Sequence, residues 1–191
     1  GSYAFYECSA LKQVDLANVQ TIQPCAFGEC VALKSVKLPS SLTYLGHYAF
    51  GYSGLTSVSI PSTLLNFDRN PFYNCPWLTE INVSSNHPYY CSVDGVVFRK
   101  DMTRLIIYPA GKNNASYIIP ESVTSLASHS FGYSKLHQVT LPSRVTQVPY
   151  LGFGYNESLT RITCLAQTPP TVETYGFTGT NDNAGIIVVV P

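Results

Sequence analysis

The residues best suited to chemistry in this sequence are its six cysteines and four histidines, which could form disulfides, ligate a metal or act as nucleophiles. A structural zinc site needs two pairs of Cys or His at short spacing. Only single pairs occur, Cys25 with Cys30 and His87 with Cys91, and neither has a second pair to complete it. The sequence also lacks G-x-S-x-G, a P-loop and a dinucleotide-binding glycine pattern. We therefore expect no enzyme activity, no metal site and no cofactor.

The charge balance narrows the range of partners. Eleven Lys and Arg residues match eleven Asp and Glu residues, and charged residues make up only 12% of the chain. The sequence therefore lacks the basic excess with which proteins bind nucleic acids or anionic membranes. No apolar run approaches the roughly 18–20 residues of a transmembrane helix. We expect no nucleic-acid partner and no direct membrane insertion by this chain.

Regularly spaced phenylalanines reveal an internal repeat. The spacing is 22 or 23 residues in the series Phe5, Phe27, Phe50, Phe72, and 22 residues between Phe131 and Phe153. Each Phe is followed after three residues by Cys, Ser or Asn, and after five or six residues by Leu. Val or Ile comes eight or nine residues after the Phe, and a further apolar residue comes two positions later. Such columns indicate a solenoid, in which stacked repeats bury one continuous core.

The spacing within one repeat predicts its strands. The segment Leu-x-x-Val-x-Leu ends with apolar residues at period two, which is typical of a strand with one buried face. A second apolar pair, three residues apart, predicts another short strand. We therefore predict a mainly β, leucine-rich-repeat-type solenoid in which Phe27, Phe50 and Phe131 are buried. Its curved parallel sheet is predicted to contain residues near 14–16, 36–38, 58–60, 81–83, 139–141 and 162–164.

Residues 84–117 interrupt the repeat, because Phe72 and Phe131 are 59 residues apart. Two apolar runs, 96–98 and 105–108, flank a polar turn and predict a β-hairpin. Two interpretations stay open. In one, the hairpin projects beyond the solenoid and presents a basic cluster of Arg99, Lys100 and Arg104. In the other, it covers an irregular repeat and its tyrosines, Tyr89, Tyr90 and Tyr108, belong to the core.

The chain is predicted to form a single domain over residues 1–191. Residues 165–191 are predicted to form a last repeat or a cap. The sequence opens on Gly1-Ser2 without a signal peptide and stops on a strand-like apolar run. We therefore expect it to be a fragment of a longer protein.

The phase of the repeat also predicts the environment of the cysteines. Cys8, Cys30 and Cys75 lie three residues after a Phe, in an inward column, and Cys164 replaces a core Leu. Parallel side chains on adjacent repeats leave Cβ atoms near 5 Å apart, beyond the roughly 3.8 Å that a disulfide prefers. These four are predicted to be buried free thiols. Cys25, two residues before a Phe, is predicted to lie near the surface.

The repeat resembles the BspA-like leucine-rich repeats, whose consensus runs approximately A-F-x-x-C-x-x-L-x-x-I-x-I-P and then S-V-T-x-I-G. The best copy begins with Ala26-Phe27-Gly28-Glu29-Cys30 and ends with Leu42-Thr43-Tyr44-Leu45-Gly46. The insertion resembles a recurrent element of the same family. The resemblance implies a secreted or surface-anchored protein of host-associated anaerobic bacteria, often adhesive toward host matrix proteins or neighbouring cells. We therefore expect the partner to be a host matrix or cell-surface protein, or a glycan.

Three surfaces are candidates for binding. One is the outward face of the main strands, represented by Gln13, Lys37, Glu80, Gln138 and Arg161. Another is a set of tyrosines at the edge of the repeats, Tyr44, Tyr52, Tyr133 and Tyr155, and the third is the hairpin with Arg99 and Lys100. Tyr combines a large amphipathic contact area with a low entropic cost. The sequence therefore favours a cell-surface interaction module, and the alternative is a structural stalk without a ligand.

Overall fold

A computed structural model describes residues 1–180 and 185–191. The regular elements within those residues are all β-strands. They are β1 (Thr21–Ile22), β2 (Tyr44–Leu45), β3 (Ser57–Ile60), β4 (Asn66–Phe67), β5 (Glu80–Val83), β6 (Tyr90–Val93), β7 (Val96–Arg99), β8 (Arg104–Ile107), β9 (Ser116–Ile118), β10 (Ser125–Leu126), β11 (Gln138–Leu141), β12 (Gln147–Val148), β13 (Arg161–Cys164), β14 (Thr171–Val172) and β15 (Ile187–Val189).

Parallel pairing between successive repeats confirms the solenoid. The main strands pair in phase, with Val58 opposite Ile81 in β3–β5 and Val139 opposite Ile162 in β11–β13. The shorter second strands pair in the same way, as β1–β2–β4 and β12–β14. Four predicted main-strand segments, 58–60, 81–83, 139–141 and 162–164, are therefore confirmed. The C-terminal residues continue the repeat, since β14 pairs with β12 and β15 pairs with β13.

The predicted strands at 14–16 and 36–38 are wrong, because neither segment is a strand. Leu16 and Leu38 are still buried, with 5% and 7% of their surface exposed. Residues 36–38 and 58–60 line an open groove of about 540 Å³. In the first repeat, the Asp15 carboxylate accepts a hydrogen bond from the Ala17 amide at 2.9 Å, which is a local turn. The apolar positions are occupied as predicted, but the ladder of main strands begins only at β3, whereas the second strands already pair from β1 onward.

Stacked aromatic rings form the spine of the core. In the first half, each Phe stacks on the next at centroid distances of 5.1, 5.2 and 6.0 Å, from Phe5 to Phe72. In the second half the series begins with Tyr108, which stacks on Phe131 at 5.2 Å. Phe27, Phe50 and Phe131 are 4%, 0% and 0% exposed, so their predicted burial is confirmed. Tyr108 thus takes the place of a Phe.

Left-handed residues bracket most of these phenylalanines. The residue two positions before Phe has φ of 49–64° in Tyr3, Cys25, Tyr48, His129, Leu151 and Tyr175. The residue two positions after Phe has φ of 50–60° in Glu7, Glu29, Tyr52, Asn74, Tyr133 and Tyr155. None of these is glycine, so the apolar pattern of the sequence does not reveal them. The two left-handed positions turn the chain around the buried ring.

The insertion lies inside the stack. Strand β7 pairs antiparallel with both β6 and β8, and β8 pairs parallel with β10 of the next repeat. Val97 packs with the core of the first half, whereas Val96 and Phe98 pack with the core of the second half. Tyr108 is buried, Tyr90 is half-buried and Tyr89 is exposed. The hairpin is therefore confirmed, and its projection beyond the solenoid is wrong, because its apolar side chains fill the core on both sides.

The cysteines follow the repeat with two exceptions. Cys30 and Cys75 are buried as predicted, and their thiols donate to the carbonyl oxygens of the Phe residues one repeat earlier, at 3.2 and 3.0 Å. Cys164 is also buried, and all six cysteines are free thiols. Cys8 is exposed, because no described repeat stacks on its outer side. Cys25 is buried rather than near the surface, because its thiol lies against the Tyr3 hydroxyl of the preceding repeat.

Candidate binding surfaces

Seven tyrosines and one histidine form a connected aromatic surface, which we call the tyrosine surface. Its members are Tyr48, Tyr52, Tyr73, His129, Tyr133, Tyr150, Tyr155 and Tyr175. Tyr133 stacks on Tyr155 at a centroid distance of 4.9 Å and meets Tyr52 edge-on at 6.0 Å. On the other flank His129 contacts Tyr150 at 5.4 Å. The surface therefore continues across the insertion and joins both halves of the solenoid.

Two buried rings support the exposed ones. Tyr73 and His129 are 3% and 0% exposed, whereas Tyr52 and Tyr155 are each 38% exposed. The Tyr73 ring stacks on Tyr48 at 4.9 Å and meets His129 and Tyr133 edge-on at 5.2 Å each. A Cβ on Gly132 would lie 2.3 Å from Tyr73 Cε2, so this ring needs glycine beside it. The exposed rings thus rest on a fixed aromatic base.

The tyrosine surface is uncharged near neutral pH. Burial raises the pKa of Tyr48 to about 12, and it also raises the pKa of Tyr133. Burial and the nearby positive charge of Arg69 lower the pKa of His129 to about 4, so this imidazole is neutral. The Tyr52 and Tyr133 hydroxyls lie 3.5 Å apart. The surface offers ring faces, ring edges and hydroxyl groups for contact, without ionic groups of its own.

The structure brings together three of the four predicted tyrosines. Tyr52, Tyr133 and Tyr155 share the left-handed position two residues after Phe. Tyr44 does not join them, because it lies on the second strand β2, paired with Asn66 of β4. Tyr73, His129, Tyr150 and Tyr175, which also belong to this surface, are not among the residues predicted from the sequence. The repeat position two residues before Phe is occupied by Tyr48, His129 and Tyr175. This regularity could have indicated part of the tyrosine surface.

The predicted binding residues on the outward face of the main strands do not all lie in one sheet. Gln138 and Arg161 are direct neighbours on β11 and β13, and Glu80 neighbours Ser57 on β5 and β3. Gln13 and Lys37 lie in segments that are not strands, although Lys37 lines the groove of about 540 Å³. These side chains are mixed in charge. They offer hydrogen bonds but do not converge as the tyrosines do.

The basic hairpin residues are exposed and make local contacts. Lys100 Nζ donates to the Ser85 carbonyl oxygen at 2.9 Å, and Arg99 lies 3.6 Å from the Asp101 carboxylate. Within residues 1–180 and 185–191, no three His, Cys, Asp or Glu side chains are placed to hold a metal ion. That part of the chain also has no helix with the length and apolar character needed to cross a bilayer.

Solved structures share this fold. A pneumococcal vaccine antigen, PcpA, is 23% identical with a TM-score of 0.68, covering 88% of this chain and 50% of its own. A leucine rich cell surface protein from Faecalibacterium prausnitzii is 21% identical with a TM-score of 0.63, covering 94% of this chain and 60% of its own. A leucine-rich repeat protein from Bacteroides ovatus is 18% identical with a TM-score of 0.57, covering 100% and 52%. The chain thus spans between half and three-fifths of these proteins.

The family assignment comes from the sequence itself. No curated protein matches the chain. Residues 1–105 and 108–186 match the BspA type leucine rich repeat region in six copies. The match includes most of the insertion and agrees with the stacked repeats and the phenylalanine spine described above. The chain belongs to the BspA-type leucine-rich repeat family.

Proposed function

We propose that this chain is a cell-surface interaction module that binds a host or cell-surface protein, or a glycan, through the tyrosine surface. The observation that carries the proposal is the continuity of that surface. Rings from five repeats and from both sides of the insertion touch one another, with Tyr52 and Tyr133 in contact although they are 81 positions apart. A connected aromatic surface with exposed members is a feature of recognition sites.

The chemistry of the tyrosine surface suits recognition rather than catalysis. Tyr provides a large contact area with two rotatable side-chain bonds, so little entropy is lost when a partner binds. Here the stacking of Tyr133 on Tyr155 and the buried ring of Tyr73 limit that freedom further. The surface contains no nucleophile paired with a base. We infer that the protein is not an enzyme and uses neither a cofactor nor a metal.

The location we propose is the bacterial cell surface or the surrounding medium. The neighbour from Faecalibacterium prausnitzii is described as a cell surface protein, and the pneumococcal neighbour is described as a vaccine antigen. Nucleic acid is not a proposed partner, because the net charge is zero.

A binding screen with matched tyrosine variants tests the proposal. Immobilised host matrix proteins and glycans are screened with the wild-type chain. The hits are then titrated with the double variant Tyr52→Asn, Tyr155→Asn. Asn tolerates the left-handed backbone at both positions, so the fold is expected to persist. Loss of two exposed aromatic contacts is expected to weaken binding at least tenfold, with a melting temperature within a few degrees of wild type.

Tyr3→Asn is the control, because Tyr3 is exposed, has a φ of 58° and lies outside the tyrosine surface. It is expected to bind as wild type does. Equal binding by the double variant and the control would exclude the tyrosine surface as the binding site. Absence of any hit with a folded chain would favour the alternative, a structural stalk.

A further inference from the structure

The only tryptophan lies outside the tyrosine surface and is exposed. Trp77 has 61% of its surface accessible, which is high for an indole. Two lysine ammonium groups flank it, with Lys34 Nζ 6.0 Å and Lys135 Nζ 5.9 Å from the ring centroid. Lys34 precedes Trp77 by two repeats, and Lys135 belongs to the first regular repeat after the insertion. Residues far apart in sequence thus form one small cationic and aromatic cluster.

The segment that carries Trp77 is one residue longer than the corresponding segments of two other repeats. Between Cys75, which lies three residues after Phe72, and the core residue Leu78, the chain has two residues, Pro76 and Trp77. The corresponding segments of the preceding repeat and of the repeat after the insertion have one residue each, Gly54 and Lys135.

Glycines hold this arrangement in place. A Cβ on Gly54 would lie 3.0 Å from Lys34 Nζ and 2.2 Å from the Val31 carbonyl oxygen, so the lysine extends across a position that only glycine allows. Gly111 of the insertion donates its amide to the Leu78 carbonyl oxygen at 2.9 Å. A Cβ there would lie 2.6 Å from the Trp77 carbonyl carbon. The backbone that carries the indole is therefore packed between two close chain segments.

The two ammonium groups remain available to a ligand. The ion pairs of the described residues involve His47, Arg99 and Lys112, and neither Lys34 nor Lys135. Both lysines are exposed. In a chain with only 12% charged residues, two unpaired cations on one aromatic ring stand out as a local positive site.

We propose that Trp77, Lys34 and Lys135 form a binding site for an anionic saccharide. A pyranose ring places its C–H groups against an indole face, while a carboxylate or sulfate on the sugar pairs with a lysine ammonium. The site is an exposed ridge rather than a deep cavity. A rigid sugar ring loses little entropy on such a ridge, whereas a flexible acidic peptide must be ordered to bind it. The chemistry therefore favours a saccharide over a peptide.

Tryptophan fluorescence tests the site directly, because the chain has one tryptophan. The probes are a hyaluronan tetrasaccharide with carboxylates, a chondroitin sulfate tetrasaccharide with carboxylates and sulfates, neutral maltotetraose, and a tetraglutamate peptide. We expect a saturable change with at least one anionic saccharide, weakened by added salt. Binding of the neutral sugar and of the peptide is expected to be at least tenfold weaker. No change with either anionic saccharide at millimolar concentration, or equal binding of the peptide, would overturn the proposal.

Matched variants separate this site from the tyrosine surface. Lys34→Gln and Lys135→Gln are each expected to weaken saccharide binding at least threefold. Lys12→Gln, at an exposed position outside the candidate binding surfaces, is expected to leave it unchanged. Trp77→Ala, followed by affinity electrophoresis, is expected to abolish retention by the anionic saccharide, while Trp77→Phe keeps part of it. The double variant Tyr52→Asn, Tyr155→Asn is expected to bind saccharide normally. Unchanged affinity in both lysine variants would assign the binding to another part of the chain.

Discussion

Non-glycine residues with a left-handed backbone supply most members of the tyrosine surface. Bulky residues adopt positive φ rarely, because Cβ crowds the backbone. Tyr52 and Tyr155 do so with φ of 58° and 59°, and each ring gains an aromatic contact in a neighbouring repeat, with Tyr73 and Tyr133 respectively. Cys25 and His129 share this backbone conformation and are buried, whereas Tyr3 and Tyr175 share it and are exposed. Exposure at the corner around each Phe therefore depends on the neighbouring repeats and not on φ alone.

His129 is predicted to make stability depend on pH. Its ring is buried, and neither ring nitrogen has a hydrogen-bond partner among the described residues. Burial and Arg69 lower its pKa to about 4, against about 6.5 when the chain is unfolded. Between these values the unfolded state binds more protons, so stability is full above about pH 6.5 and falls as the pH drops toward 4. We expect a loss of about 2–3 kcal/mol between pH 7 and pH 4.5 from this residue.

Urea denaturation at both pH values measures this effect. His129→Phe keeps an aromatic ring but cannot be protonated, so it is expected to lose less stability between the two pH values than wild type. His137→Phe is the control, since His137 is exposed. The same pH dependence in wild type and His129→Phe would show that the folded protein accommodates a charged imidazole at this position.

The hairpin β7–β8 separates the two halves of the core. Successive residues of β7 alternate between them, with Val97 packed on one side and Phe98 on the other. Its strands run antiparallel to each other, while β8 also pairs parallel with β10. One edge of the insertion therefore continues the second-strand column of the solenoid. This dual pairing explains how residues outside the repeat are accommodated without a break in the stack.

Substitutions at buried and at exposed positions of the hairpin are predicted to differ in their effect on stability. Phe98 is fully buried, so Phe98→Ala is expected to destabilise the fold by about 3–5 kcal/mol. Arg99→Ser with Lys100→Ser changes exposed side chains and is expected to alter stability by about 0.5 kcal/mol or less per site. Chemical denaturation measures both. A small loss in Phe98→Ala would mean that the hairpin separates from the core readily.

The sequence predicts the elements that depend on apolar periodicity and misses those that depend on backbone conformation. The strands around Val58 and Val139, the buried Phe50 and the hairpin follow from spacing alone. The spacing does not show that residues 36–38 fail to form a ladder, because the apolar pattern there is the same. Three of the tyrosines converge as a column would suggest. The rest of the tyrosine surface requires left-handed residues and a contact across the insertion. The spacing of apolar residues indicates neither.

The two halves of the molecule meet at an interrupted backbone ladder. In a regular repeat the Phe amide donates to a carbonyl of the next repeat, as Phe50 does to Pro71 at 2.9 Å. At the junction, the Ser130 carbonyl oxygen accepts a hydrogen bond from the Tyr108 amide of the insertion, and not from the Phe72 amide. The Asn70 side chain bridges the gap. Its Oδ1 accepts from the Phe72 amide at 3.0 Å, and its Nδ2 donates to the His129 carbonyl at 3.2 Å.

Asn70 is therefore predicted to couple the two halves. Asn70→Ala leaves the buried Phe72 amide unpaired and removes one of the two hydrogen bonds that the His129 carbonyl oxygen accepts, which is expected to cost about 1–3 kcal/mol. Asn66→Ala, at an exposed position of β4, is the control and is expected to change little. That the chain forms a single domain stays a prediction, and the same variants test it. Trp77, next to Leu78 of the first core cluster, reports on the first half, whereas far-ultraviolet circular dichroism reports on the whole chain.

In wild type the two signals are expected to unfold together, as nearest-neighbour coupling in a solenoid requires. In Asn70→Ala the fluorescence and dichroism transitions are expected to separate, because the hydrogen bonds by which the Asn70 side chain connects the two halves are lost. Coincident transitions in the variant, with an unchanged midpoint, would show that the alternating side chains of β7 and the Tyr73–Tyr133 contact couple the halves without Asn70.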